Sequence, residues 1–141
     1  EVIEVDDVLG AAFDRLPPQR AASSPAPGAD VLAAIVSSPA TVLCAAKDID
    51  SGEILGALTL ALFRIPTGFR AWIEDVVVDE SARGKGVGAA LSNAAIERAR
   101  SEGAKTVDLT SRPSREAANR LYKRVGFEQR ETNVYRYSLE S

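Results

Sequence analysis

The stretch VVVDESARGKGVGAAL, from Val76 to Leu91, decides how this chain is read. A β-branched apolar run ends at Asp79, and glycines follow at 84, 86 and 88, just ahead of a helical pattern. A helix start leaves its first backbone N–H groups without partners and carries about half a unit of positive charge. Glycines at such a start let an anion approach the backbone with no Cβ in the way. Arg83 and Lys85 add two full charges suited to a pyrophosphate. The pattern Arg-x-x-Gly-x-Gly, on Arg83, Gly86 and Gly88, therefore predicts an anion-binding loop between a strand and a helix. A glycine-rich turn with no ligand is the plain alternative.

Two other phosphate loops fit less well. A P-loop ends in Gly-Lys followed by Ser or Thr, and Lys85 lacks those partners. A dinucleotide fingerprint can be laid on Gly84, Gly86 and Ala89, but the turn from strand to glycine is too long. Its acidic ribose partner would have to be Glu102 or Asp108, and neither position suits.

Upstream of the loop, RAWIEDVVVD reads as a strand ending at Asp79. TVLCAAK and EILGALTLALFRI read as strands on either side of a DIDSG turn. At the start of the chain VIEV alternates like a short strand. DDVLGAAFDRL reads as a helix with Val8, Ala11, Ala12 and Leu16 on one face, stopping before Pro17 and Pro18. PPQRAASSPAPGA reads as a loop, and DVLAAIVSS as a helix with Asp30 as N-cap.

Downstream, Val87 to Gly103 reads as a helix with a stripe of Val87, Leu91, Ala94, Ala95 and Ala99, and KTVDLTS as a strand. REAANRLYKRV reads as a helix capped by Ser114, with Ala118, Leu121, Tyr122 and Val125 on one face. GFEQRE and NVYRYSLE read as a final two-stranded unit. This order predicts one α+β domain over residues 1–141 with a mixed sheet. About seven mostly antiparallel strands, about four helices and one β-α-β crossover carrying the loop are expected.

Composition narrows the chemistry. With 141 residues, 45% of them hydrophobic and 26% charged, the chain suits one globular core rather than disorder. No apolar run approaches the ~18 residues of a membrane helix, so no membrane partner is expected. Histidine is absent, which removes Ser-His-Asp and Cys-His catalysis and the usual zinc sites; no metal is expected. Cys44 is the only cysteine and no secretory leader pattern is visible, which fits a reducing, cytoplasmic setting. Without a histidine to activate it, Cys44 reads as a small apolar strand residue rather than an acyl-carrying nucleophile.

Charge is uneven along the chain. Residues 1–82 hold 5 basic and 13 acidic side chains, and residues 83–141 hold 12 basic and 7 acidic. Balances of -8 and +5 suggest one cationic and one anionic partner, or else segregated solvated faces. Net acidity argues against a nucleic-acid partner.

VVVDESARGKGVGAAL resembles the coenzyme-A-binding motif of the GNAT superfamily of N-acetyltransferases. SREAANRLYKRVGF, from Ser114 to Phe127, resembles that family's second signature, an Ala-x-x-Leu-Tyr helix followed by Gly-Phe. The two motifs are correctly ordered, one strand apart, and cover about residues 70 to 130. The resemblance implies acetyl-CoA as acyl-donor cosubstrate. It implies that the backbone of Val76, Val77 and Val78 pairs with the pantetheine arm. The amides of Arg83, Gly84, Lys85, Gly86, Val87 and Gly88 would hold the pyrophosphate. Tyr122 would sit near the thioester sulfur and protonate the departing thiolate, and Asn119 would touch the coenzyme. Arg112, Arg115 and Arg120 would lie within reach of its phosphates. From the residues alone, Tyr122 is also a core tyrosine, Asn119 a solvent-facing residue, and the arginines a basic helix face.

An attacking amine must be neutral, and an unperturbed lysine-type amine has a pKa of about 10.4, so a base is needed at neutral pH. Glu74 is the leading candidate and Asp75 the next. Alternation puts them on opposite faces of the strand unless a bulge intervenes. Trp72, Phe63 and Phe69 would wall an acceptor pocket or simply pack the core. The expectation is an acetyl-CoA-dependent N-acetyltransferase, acting on a primary amine by direct attack in a ternary complex. The amine acceptor is expected to be cationic, and a homodimer is compatible with the resemblance. The alternative is an acyl-CoA-binding regulatory module, which would need neither Tyr122 nor a nearby carboxylate.

Overall fold

The computed structural model describes Glu1, residues 6–20 and residues 26–140, with residues 17–20 described by their backbone alone. Helices α1 (Asp7–Arg20) and α2 (Ala29–Ser37) come first. Strands β1 (Thr41–Lys47), β2 (Ile54–Ile65) and β3 (Gly68–Val78) follow, then a single 3-10 turn at Glu80–Ala82. Helix α3 (Val87–Ser101), strand β4 (Val107–Asp108) and helix α4 (Glu116–Val125) complete the order. The sheet runs β1-β2-β3-β4; the first three strands are antiparallel, and β4 lies parallel to β3. The β3-α3-β4 crossover expected around the glycine loop is therefore present.

Both faces of the sheet are covered. Leu91, Ala95 and Ala99 of α3 pack on Cys44, Leu58, Leu60, Leu62, Ala71 and Ile73. On the other face Leu9, Ala12 and Leu16 of α1 and Leu32 of α2 pack on Leu43, Ala57 and Val77. Strands buried on both sides become continuous apolar runs, which is why TVLCAAK and ILGALTLALFRI show little alternation. The turn between β1 and β2 is built by Asp48, whose Oδ1 accepts from the amides of Asp50 and Ser51 at 2.8 and 3.0 Å. Those backbone donors, Ser51 first, hold its carboxyl below the usual carboxylate range.

Several expectations are corrected. The described residues form four strands, not about seven. Residues 128–140, expected as a two-stranded unit, have no regular structure and are exposed throughout. The strand expected at VIEV lies outside the described residues. The α1 helix continues through Pro17 and Pro18 to Arg20: proline's fixed φ is itself helical, and its missing N–H removes only its own bond from the ladder. Its buried face is Leu9, Ala12 and Leu16, packed on the sheet, while Val8 and Ala11 are exposed; Asp6 caps its start by accepting from the Leu9 amide at 2.8 Å. Gly28, not Asp30, is the N-cap of α2, and Arg115, not Ser114, that of α4. On α3, Ser92 is buried and Ala94 exposed.

Packing is tight where α3 crosses β2. A Cβ at Gly56 would stand 2.9 Å from the Val77 carbonyl oxygen, 3.0 Å from Val87 Cγ1 and 3.1 Å from Leu91 Cδ1. Gly56→Ala is therefore expected to destabilise the fold by about 1–3 kcal/mol in denaturant titration. Gly10 sits in α1 with open space around it, so Gly10→Ala is expected to leave stability unchanged or raise it by up to about 1 kcal/mol.

Candidate active site

The centre of β3 contains an extra residue. Thr59 pairs with Glu74 and Ala57 with Val77, so two steps along β2 match three along β3, and Asp75 and Val76 together oppose Leu58. Asp75 takes φ of 53°, the left-handed region that aspartate tolerates better than most side chains. The bulge changes faces. Ile73 and Val77 would share a face in an unbroken strand, yet Ile73 packs under α3 and Val77 under α1 and α2.

Beside the bulge the sheet opens. Strand β4 pairs with β3 only at Ala71↔Val107 and Trp72↔Asp108, after which the two strands diverge. The cleft between them exposes the edge of β3 at Ile73, Glu74, Asp75 and Val76. Its far wall is Leu109, Thr110, Arg115 and Tyr122. The two expected catalytic side chains, Glu74 and Tyr122, thus border one cleft, although they lie on different elements. Glu74 is exposed, and Trp72 on the same strand face donates its indole N–H to Glu74 Oε1 at 2.9 Å. Tyr122 is buried, its ring edge-on to Phe127 with centroids 5.8 Å apart, so it packs the core and borders the cleft at once. The bulge also brings Asp75 to the same cleft rather than to the opposite face.

The backbone at the cleft has a defined polarity. The Asp79 N–H donates to Leu55 O of β2 at 2.7 Å. Alternation then turns the Val78 N–H toward the other edge of β3, where β4 has already diverged. Val77 and Val78 pair with Ala57 and Gly56 on the β2 side, and Val76 belongs to the bulge.

The glycine loop ends in an ordered helix start. Gly86 is the N-cap of α3 at φ of 79°, and Gly84 has φ of 80°. A Cβ at either would meet nothing within 4 Å, so the outer side of the loop is open to a ligand. Arg83 and Lys85 are exposed beside it, and the N–H groups of Val87 and Gly88 belong to the first turn of α3. Gly88 has a packing role: its Cβ would lie 2.9 Å from Leu121 Cδ1 of α4.

Sequence reasoning missed the anchor of this loop. Asp79, nearly buried, accepts from the Ser81 amide at 3.0 Å and the Ser81 hydroxyl at 2.9 Å, capping the 3-10 turn that leads into Arg83. Its other oxygen accepts from Arg15 Nε at 2.9 Å, and Arg15 Nη2 donates to Ile54 O at 2.7 Å. One guanidinium thus ties α1 to the start of β2 and to the loop. An acidic residue just before a short helical turn was the available sequence signal; its arginine partner lies 64 positions away.

Other candidates fall as follows. Asn119 donates its side-chain N–H to Arg112 O at 2.9 Å, holding the loop before α4. Arg115 borders the cleft, while Arg112 and Arg120 are exposed outside its lining. Phe69 packs against the α3-side core with Arg64 stacked 4.6 Å above its ring, and Phe63 is partly exposed, so Trp72 alone of the three aromatics contacts Glu74. Cys44 is buried, and burial pushes its thiol above the usual range, away from the nucleophilic thiolate. Among the described residues no cluster of three or more His, Cys, Asp or Glu could hold a metal ion. No described helix is long and apolar enough to cross a membrane.

A strand-bulge cleft beside a glycine-started helix defines a class that comparison with known proteins names. The family model described as Acetyltransferase (GNAT) family matches residues 11–127. The chain belongs to the GNAT acetyltransferase family. It is similar to the L-methionine sulfoximine/L-methionine sulfone acetyltransferase of Pseudomonas paraeruginosa (strain DSM 24068 / PA7), with 38% identity over 79 residues. That match spans 55% of this chain and under half, 46%, of the relative. A solved structure from Agrobacterium tumefaciens str. C58 shares the fold at TM-score 0.84 and 24% identity, covering 96% of this chain and 97% of that one. An acetyltransferase of Trypanosoma brucei matches at TM-score 0.77 and 26% identity, covering 96% of each chain.

The Asp79 anchor has a pH signature. The Ser81 amide and hydroxyl, with Arg15 adding its charge, hold the Asp79 carboxyl below the usual carboxylate range. A depressed folded-state pKa contributes stability that is complete above the unfolded value of about 3.9 and disappears as pH falls through the folded value. Asp79→Asn is expected to lower the thermal midpoint at neutral pH. The gap to the wild type should stay constant down to about pH 4 and close below it. A gap independent of pH into that acid range would show that the charge contributes nothing.

Proposed function

We propose that this chain is an acetyl-CoA-dependent N-acetyltransferase, in which a primary amine attacks the acetyl thioester directly in a ternary complex. The observation that carries the reading is the cleft itself. What supports it is that Glu74 and Asp75 of the bulged β3 edge and Tyr122 of α4 line the same cleft, next to the glycine loop.

Each residue then has a task. The amides of Gly84, Gly86, Val87 and Gly88 hold the pyrophosphate at the positive end of α3 together with the cationic side chains of Arg83 and Lys85, whose own amides donate to Glu80 O at 3.3 Å and Ala82 O at 3.2 Å. Edge backbone groups of Val76 and Val78 orient the pantetheine arm as an added strand would lie, while the backbone groups of Val77 between them face β2, and Asn119 contacts the arm from α4. Glu74, steadied by the Trp72 indole, takes the proton of the incoming amine directly or through a water, and Asp75 stands beside it. The amine lone pair forms the new C–N bond at the thioester carbonyl. The Val78 N–H stabilises the oxygen that gains charge. As the C–S bond breaks, the electron pair leaves on sulfur and Tyr122 supplies its proton, while the nitrogen, still carrying one proton more than the amide product, releases it through water to restore the Tyr122 phenol.

The acceptor is a cationic amine in this reading. Two carboxylates, Glu74 and Asp75, line the cleft mouth, and the first 82 residues carry the chain's acidic excess.

Calorimetric titration with acetyl-CoA is expected to show micromolar binding, with NADH as the control that does not bind. Preference for NADH, or no binding of acetyl-CoA, would refute the loop assignment. With any accepted amine, Tyr122→Phe is expected to lower kcat by about 10²–10⁴-fold, and Glu74→Gln to shift the pH dependence of kcat/KM. Full kcat in Tyr122→Phe across pH would remove the general acid, and an unchanged profile in Glu74→Gln would remove the base.

A further inference from the structure

A nearly buried carboxylate stands beside the glycine loop. Asp79 directly follows β3, and its Oδ1 holds the 3-10 turn that leads into Arg83. Its backbone N–H donates to Leu55 O of β2 at 2.7 Å. The next residue of β2, Gly56, meets the start of α3: a Cβ there would lie 3.0 Å from Val87 Cγ1. Asp79 and the first turn of α3 thus flank the same two residues of β2. A negative charge in that position opposes the partial positive charge that the helix start offers to an anion. Where water is largely excluded, that opposition is felt more strongly than at an exposed site.

Arg15 neutralises this charge from another element. Its Nε donates to Asp79 Oδ2 at 2.9 Å and its Nη2 to Ile54 O at 2.7 Å, while Nη1 lies 3.7 Å from Glu53 Oε1. The guanidinium fork therefore holds Asp79 to the start of β2 as well as compensating it. The two carboxylate oxygens divide the work, Oδ1 serving the turn and Oδ2 the cation. An asparagine would cap the same turn without bringing a charge to an anion loop. The acid suits that place because a cation of α1 rests on it. Helix α1 otherwise meets the sheet through apolar Leu9, Ala12 and Leu16.

Given the acetyl-CoA reading above, on which this rests, we infer that Arg15 is a positioning residue for the acyl donor. By neutralising Asp79 and tying it to β2, Arg15 keeps the start of α3 electropositive and the turn into Arg83 in place for the diphosphate. It acts through Asp79, without touching the coenzyme. The coupling is reciprocal: a tie that favours the occupied loop is itself favoured when the loop is occupied. Acetyl-CoA in the loop therefore steadies α1, although Arg15 lies 64 positions from Asp79 in the chain.

Calorimetry on the full chain with acetyl-CoA tests this. Arg15→Gln leaves the Asp79 charge uncompensated and is expected to raise the Kd about tenfold. With any accepted amine, the same variant is expected to raise KM for acetyl-CoA while kcat stays within about twofold. The double variant Arg15→Gln, Asp79→Asn removes the charge together with its partner. It is expected to bind acetyl-CoA at least about threefold more tightly than Arg15→Gln alone, which loss of a purely structural tie would not produce. A double variant no tighter than Arg15→Gln would overturn the inference, as would a loss of kcat with KM unchanged. Should Arg15→Gln fail to fold, hydrogen exchange on the wild type decides. There, saturating acetyl-CoA is expected to slow the Ser81 amide and the amides of residues 12–16 at least about threefold. No slowing at either place would overturn the coupling. A wild type that does not bind acetyl-CoA would refute the acetyltransferase reading itself. A wild type that binds, with Arg15→Gln binding equally well, would remove this inference alone.

Discussion

The site depends on one extra residue in β3. Opposite Leu58 the strand spends two residues, Asp75 and Val76, where a regular ladder spends one. Everything C-terminal to that point is rotated by one position relative to everything before it. Val77 can then fill the core under α1 and α2 although Ile73 fills the core under α3. The bend of a bulge also parts β3 from β4, whose pairing stops one residue short of Ile73. The cleft is the space left by that parting, and Tyr122 reaches it because α4 packs beside α3 where Gly88 allows Leu121 to approach.

A second constraint fixes the glycine loop. Glycines at positive φ make the turn into α3 feasible but leave it free to move, since glycine has many alternatives. Asp79 removes some of those alternatives from one side by capping the 3-10 turn, and Arg15 fixes Asp79 from the other. The ion pair is partly shielded, with Arg15 also bound to a backbone carbonyl, so it is a geometric clamp more than a surface charge pair of small worth. Helix α1 is thereby connected to the glycine loop through a single side chain.

Much of this was legible in the sequence. The glycine loop, its flanking strand and helix, the β-α-β crossover and the amphipathic helix bearing Tyr122 all follow from local chemistry: β-branched runs, glycine punctuation and helical spacing act within a few residues. The errors have physical causes of a different kind. Proline's helical φ let α1 run past the expected stop, and packing on the sheet took Leu9 rather than Val8 beside Ala12 and Leu16. Alternation along NVYRYSLE was read as strand, yet a strand needs a neighbour, and within the described chain that segment has none.

By itself, then, the sequence determined where strands and helices form along most of the chain, where glycines open a helix start, and that the chain holds no histidine and a single cysteine. Those properties depend on backbone preference and composition, which act locally. Only the tertiary structure decided that Glu74 and Tyr122 border one cleft, that Asp75 lies in a bulge rather than on the opposite face, and that Arg15 is the partner of Asp79. Each of these is a contact between residues far apart in the chain or a one-residue slip of register. Neither leaves a local pattern, because such contacts are selected by packing two layers against one sheet.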